Sequence, residues 1–115
     1  MSVLWRRKVD GQTYEVRAAG NSIRLYNGPI LHSQWNTKRP LMQSVWDCLT
    51  LPGFFLPESK PATVLMLGVG GGAAIRQLQE FFKPEHIVGI ELDPVHIEVA
   101  YEWFGIKKAL SLIHI

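Results

Sequence analysis

The chain has 115 residues, enough for one ordinary domain or a small module with part of another. An apolar fraction of 47% with 19% charged residues is a globular composition and excludes a disordered one. The formal net charge is +2 and the basic residues are scattered rather than gathered in one tract, so no nucleic-acid partner is expected.

Residues 1 to about 36 read as a β-meander. Short runs of β-formers (Val3–Trp5, Thr13–Val16, Ser22–Tyr26, Pro29–Trp35) are divided by Asp10-Gly11, Gly20-Asn21 and Asn27-Gly28. Each pair supplies residues that tolerate positive φ, as tight hairpin turns require. Alternation in SIRLY places Ile23 and Leu25 on one face. Arg6-Arg7-Lys8 reads as a solvated strand end. Residues 40 to about 51 change to helical spacing, with Pro40 in the first turn, Leu41, Val45, Cys48 and Leu49 on one face, and Pro52-Gly53 as the stop. Cys48, the single cysteine, is expected as a buried, inert thiol. The N-terminus has no apolar core suited to a signal peptide, and no run reaches the ~18 apolar residues of a membrane span. A cytoplasmic, soluble protein with no membrane partner is expected.

From Thr63 the order becomes strand, helix, strand, helix, which predicts an α/β fold with a parallel sheet. Val64–Leu67 is a continuous apolar run, as in a strand covered on both faces. A helix over 72–82 carries Ala74, Ile75, Leu78 and Phe82 inward, and a second buried strand runs from His86 to Ile90. Asp93, as N-cap, and Pro94 open another helix that carries Ile97, Ala100, Tyr101 and Phe104 inward, with Gly105 as its stop. His96 and Glu98 on that helix read as solvent-exposed.

Gly68, Gly70 and Gly72 stand where a buried strand hands over to a helix. Glycine there permits a tight turn, close approach of a cofactor and close helix–strand packing, and the free N–H groups favour electronegative ligand atoms. Glu91 ends the next strand twenty-three positions after Gly68, near the offset at which a carboxylate reaches ribose hydroxyls. Leu92 would then lie against the adenine. The order strand, glycine turn, helix, strand, acid points to an adenine-nucleoside cofactor. Gly68, Gly70 and Ala73 also fit Gly-x-Gly-x-x-Ala, so an NAD(P)-dependent oxidoreductase half-domain stays open. So does a non-enzymatic β-meander interaction module in which the turn is only structural.

Arg24–Gly28 (RLYNG), Val64–Gly72 (VLMLGVGGG) and Val88–Pro94 (VGIELDP) resemble the spermidine synthase-like proteins, relatives of the class I methyltransferases. The resemblance implies a β-rich N-terminal module followed by the first β-α-β-α half of a Rossmann-like fold, truncated. Its cofactor would be S-adenosylmethionine or the decarboxylated form. By resemblance Gly68, Val69, Gly70, Gly71 and Gly72 line the cofactor, Glu91 holds the ribose beside Leu92, and Gln34, with His32 beside it, sits at the cofactor's mouth. An outward-pointing strand position is the alternative for both His32 and Gln34. Polyamine-making members carry Asp where Gly71 stands, and lack of their Asp-Glu-Phe-x-Tyr-His stretch in KRPLMQSVWD argues against a diamine substrate.

The implied organisation is a β-hairpin module over residues 1–58, a partial nucleoside-binding domain over 59–109, and a suspect tail over 110–115. That tail, LSLIHI, looks like translated sequencing-adaptor text, the start of a third strand being the alternative. The parent would transfer a methyl or aminopropyl group to an unknown acceptor, and a homodimer of the full-length parent stays open. No catalytic residue and no metal ligand is assigned, and the 115-residue chain itself is expected to be inactive and prone to aggregate.

Overall fold

The computed structural model describes residues 1–57, 61–107 and 111–115. Four strands, β1 (Ser2–Val9), β2 (Gln12–Ala19), β3 (Ser22–Asn27) and β4 (Ile30–Asn36), form an antiparallel meander in sequence order. Its first turn has positive φ at both Asp10 (48°) and Gly11 (78°), the pairing that matches strand twist. Two bulges interrupt the ladder. Val3 and Trp5 pair with neighbouring residues of β2, leaving Leu4 over, and on β4 Ser33 and Leu31 face Leu25 and Tyr26, leaving His32 over. The second bulge bends β4 next to the glycine turn.

The predicted helix over 40–51 is shorter in the structure. Helix α1 spans Val45–Thr50, followed by a 3-10 turn over Leu51–Phe55 that contains Pro52 and Gly53. Residues 41–44 are held outside the helix because the Asp47 carboxylate accepts from the N–H groups of Met42 (3.0 Å) and Ser44 (3.2 Å). The predicted inward face is therefore outward: Leu41, Val45, Leu49 and Cys48 are exposed, and Thr50 is the buried residue of α1.

The second half comprises β5 (Thr63–Leu67), α2 (Ala73–Phe81), β6 (His86–Glu91), α3 (Pro94–Trp103) and β7 (Ser111–His114). Its sheet is parallel in the order β5-β6-β7, one strand more than the two expected, because residues 111–114 pair with Val88–Glu91. The connection around residues 58–60 and the placement of residues 108–110 lie outside the described residues.

The core joins both halves: Val16 and Leu25 of the meander cluster with Ile75, Leu78, Ile87, Val99 and Phe104. Helix α2 buries Ala74, Ile75 and Leu78 as predicted. Helix α3 carries Ala100 and Phe104 into the core as predicted, with Tyr101 packed against it. Ile97 stands outside the cluster, and Val95, His96 and Val99 are buried in addition, where Asp93 and His96 at the helix start meet Tyr14 and His32 of the meander. Strand β5 is covered on one face only. Val64 and Met66 meet the core, whereas Leu65 and Leu67 are 61% and 75% exposed.

Candidate functional site

The end of β5 passes into α2 through Gly68 (φ 82°), Val69, Gly70 (φ 56°), Gly71 and Gly72 (φ 93°). Gly68 N–H donates to Ile90 O (2.8 Å), which ties the turn to the end of β6, and Gly72 N–H donates to Val69 O (3.0 Å) within the turn. Glu91, the last residue of β6, projects into this turn. Its Oε2 accepts from the N–H groups of Val69 and Gly70, both at 2.8 Å, and its Oε1 accepts from Asp93 N–H at 3.0 Å. The carboxylate is only 7% exposed. Burial opposes its ionisation, but the three backbone donors, with His96 nearby, outweigh that and hold its pKa below the ordinary value.

The glycines do different work. Among the described residues, apart from its two chain neighbours, no atom lies within 4 Å of the place where a side chain on Gly68 would begin, so the turn is open to a ligand on that side. At Gly70 a Cβ would stand 2.9 Å from His32 O. At Gly71 it would meet Ser33 Cβ at 2.8 Å and Phe104 Cζ at 3.0 Å, and at Gly72 Ile106 Cγ1 at 2.8 Å. Gly71 and Gly72 are buried against protein atoms. They allow β4, α3 and the residues beyond it to close on the turn.

The meander forms one wall. Ser33, fully buried, accepts from Ala73 N–H (3.2 Å) through its Oγ and so satisfies one donor of the first turn of α2. Tyr14 donates from its hydroxyl to Asp93 Oδ2 (2.7 Å), while Asp93 Oδ1 accepts from Val95 N–H (2.9 Å) as the predicted N-cap. Burial first, then this bond to Asp93, pushes the Tyr14 pKa up to about 12. His96 is buried at 5% exposure, contrary to the expected solvent position, because its ring packs 4.8 Å from that of His32 and edge-on to Tyr14. Glu98 is likewise engaged, accepting from Arg7 Nη1 (2.6 Å) and Nη2 (2.7 Å). Arg6 bonds Glu15 at 2.6 Å, so the basic run at the end of β1 is partly paired.

Leu92 lies beside Glu91 with an exposed side chain. Gln34 does not join this group. It lines a separate cavity of about 190 Å³ between the end of β4 and α2, which reaches the glycine turn only through Ala73, and its Nε2 contacts Met42 Sδ at 3.4 Å. Ser33 and Tyr14 escaped the sequence reading. The pairing of Ser33 with Leu25 marks its inward face, but the bulge at His32 breaks the alternation that would have revealed it. Among the described residues no group of three or more His, Cys, Asp or Glu side chains is placed to hold a metal ion, and no helix is long and apolar enough to cross a membrane.

No family model matches the chain. It is 37% identical over 49 residues to the eEF1A lysine and N-terminal methyltransferase of Mus musculus, covering 43% of this chain and 7% of that protein. It is 34% identical over 56 residues to the polyamine aminopropyltransferase of Vibrio vulnificus (strain CMCP6), covering 49% of this chain and 18% of that protein. In structure it matches a probable spermidine synthase from Corynebacterium glutamicum with a TM-score of 0.76 at 14% identity, over 100% of this chain and 45% of that one. A spermidine synthase in complex with the transition state analogue AdoDATO matches at 0.71 and 19% identity, over 98% of this chain and 39% of that one. The chain thus has a spermidine synthase-like fold, an antiparallel meander joined to a parallel α/β sheet. It spans less than half the length of these solved structures and a smaller share of these curated relatives.

Proposed function

We propose that the chain supplies the nucleoside-binding part of an alkyl transferase that uses S-adenosylmethionine or its decarboxylated form, on the first half of a Rossmann-like domain. The observation that carries this reading is the Glu91 carboxylate bonded to the N–H groups of Val69 and Gly70. In a dinucleotide site, N–H groups of such a turn face a pyrophosphate. Here a buried carboxylate with a lowered pKa accepts from them, and a second anion in that place would meet like charge. A nucleoside without phosphate incurs no such cost, which favours it over NAD(P).

The residues fit such a ligand. A carboxylate offers about four acceptor positions; the three taken by backbone donors leave room for a ribose hydroxyl. Gly68 leaves the turn open and Leu92 offers exposed apolar surface for a purine. The bound cofactor would supply a sulfonium whose neighbouring carbon is open to a nucleophile. This chain's part is to bind and orient it. With no general base assigned among the described residues, the 115-residue chain is expected to bind without turnover.

Titration of S-adenosylmethionine, methylthioadenosine and NADH into the chain tests the reading. Binding of the sulfur nucleosides, weakened about tenfold or more in Glu91→Ala, is the expected result, in line with loss of a charge-assisted hydrogen bond. Tight NADH binding with no sulfur-nucleoside binding would overturn it.

A further inference from the structure

The cavity that takes Gln34 is lined by a set of charges that no nucleoside reading uses. Lys38 and Arg39 stand at its rim, where the Asn36 Oδ1 accepts from both of their backbone N–H groups (2.9 and 3.0 Å) and so fixes where their side chains start. On the opposite wall Arg76 lies over the Trp35 ring, its guanidinium carbon 3.9 Å from the centroid, and donates from Nη1 to Gly105 O at 3.3 Å. Stacking on an indole holds a guanidinium in one plane while leaving other N–H groups free to donate. Among the described residues Glu80 is the one carboxylate in the lining, and it is exposed. The nearby carboxylate of Asp47 is engaged, accepting from the Met42 and Ser44 N–H groups and from Gln77 Nε2. Gln34, Asn36, Thr37 and Gln77 supply uncharged polar groups to the same lining.

Three cations against one exposed carboxylate in a small cavity that borders Ala73, the first residue after the glycine turn, would repel a polyammonium ligand. They suit an anion. We propose that this cavity seats an anionic group, a carboxylate or a phosphate, of the acceptor molecule, anchored by Arg39 and Arg76 with Lys38 at the rim. The term acceptor rests on the transferase reading above; the binding of the anion does not.

The test is calorimetric titration of the full chain with glutarate, inorganic phosphate and putrescine at low and moderate salt. The expected result is binding of at least one of the two anions more tightly than putrescine, with affinity falling as salt rises. The tighter of glutarate and phosphate identifies the anchoring group as carboxylate or phosphate. Arg76→Gln is expected to lower that affinity about tenfold. Because Arg76 also holds Gly105 and could weaken the fold, the exposed pair Lys38→Gln with Arg39→Gln provides the second variant, expected to lose about tenfold with an unchanged circular dichroism spectrum. Putrescine binding as tightly as the tighter of the two anions, undiminished anion binding in the Lys38/Arg39 variant, or no anion binding up to about 10 mM would each overturn the proposal. Glu91→Ala separates the two readings, since it should weaken the sulfur nucleosides and leave anion affinity as it was.

Discussion

A methyl group at position 71 would stand 2.8 Å from Ser33 Cβ and 3.0 Å from Phe104 Cζ, both on buried residues that have little room to move. Gly71→Ala is therefore expected to cost about 1–3 kcal/mol by overpacking. Denaturant unfolding would measure it, and the penalty should be smaller when measured in a Ser33→Gly background, which itself loses the bond to Ala73. An equal Gly71→Ala penalty in both backgrounds would show that Ser33 is not the obstacle. An aspartate at position 71 would meet the same contacts through its Cβ, so Ser33 or Phe104 would have to shift to admit it. His96 allows a second prediction. Burial lowers its pKa most, and His32 lowers it further, while Asp93 and Glu91 pull the other way without prevailing. Its folded pKa thus lies below the ordinary 6.5, so the unfolded chain takes up the proton first. The stability it contributes is complete above about 6.5 and is lost as pH falls from there through the folded value. Unfolding free energy followed across that window should decline in the native chain and decline less in His96→Gln. Parallel curves would remove His96 from the account.

Between elements, what holds the meander over the glycine turn is a short set of polar contacts on an apolar base. Tyr14 to Asp93, Ser33 to Ala73 and Arg7 to Glu98 each tie a meander strand to α2 or α3. Tyr14→Phe keeps the ring in the core and removes only the hydroxyl, leaving Asp93 with one donor fewer. It should cost about 1.5–3 kcal/mol, the range for a hydrogen bond to a charged group, measured as a shift in denaturant midpoint. No shift would mean that water replaces the hydroxyl at Asp93. None of these ties was legible in the sequence, whereas the elements they join largely were. Asp10-Gly11 and Asp93-Pro94 carry their own instructions, since positive φ and an N-cap depend on the residues at hand. The place of Glu91 at the glycine turn was legible too, through its spacing from the glycines. The side that a strand residue faces depends on register, and the single extra residue at His32 reverses it. Residues 40–44 misled for a related reason: their apolar spacing suits a helix, but the Asp47 carboxylate accepts from the N–H groups of Met42 and Ser44 instead. His96 was misplaced because its burial comes from His32 and Tyr14, distant in sequence.

Across the whole molecule, the three-stranded sheet has one face in the core and one that no described element covers. Parallel register sets Leu65 beside Val88, and Leu67 beside Ile90, which in turn stands beside Ile113, on that open face. Leu65 is 61%, Leu67 75% and Ile113 46% exposed, with Leu92 adding apolar surface at the strand ends. Fully covering a leucine stabilises by about 1.5–3 kcal/mol, so a face of this kind offers several kcal/mol to whatever covers it. An apolar patch bounded by a strand edge is a site of association when nothing fills it. The 115-residue chain is accordingly expected to bind a hydrophobic dye such as anilinonaphthalene sulfonate and to self-associate as its concentration rises. Leu65→Lys with Leu67→Lys adds two charges to solvent-facing positions and removes nothing from the core, since Val64 and Met66 face the other way. Sedimentation velocity should then shift towards monomer and dye fluorescence should fall, with the circular dichroism spectrum unchanged. If the native chain sediments as a dye-negative monomer at every concentration, the open face is not adhesive. If the lysine pair leaves association intact, the adhesive surface lies elsewhere, with the exposed row of Val45, Leu49, Phe54 and Phe55 along α1 and the 3-10 turn the next to test.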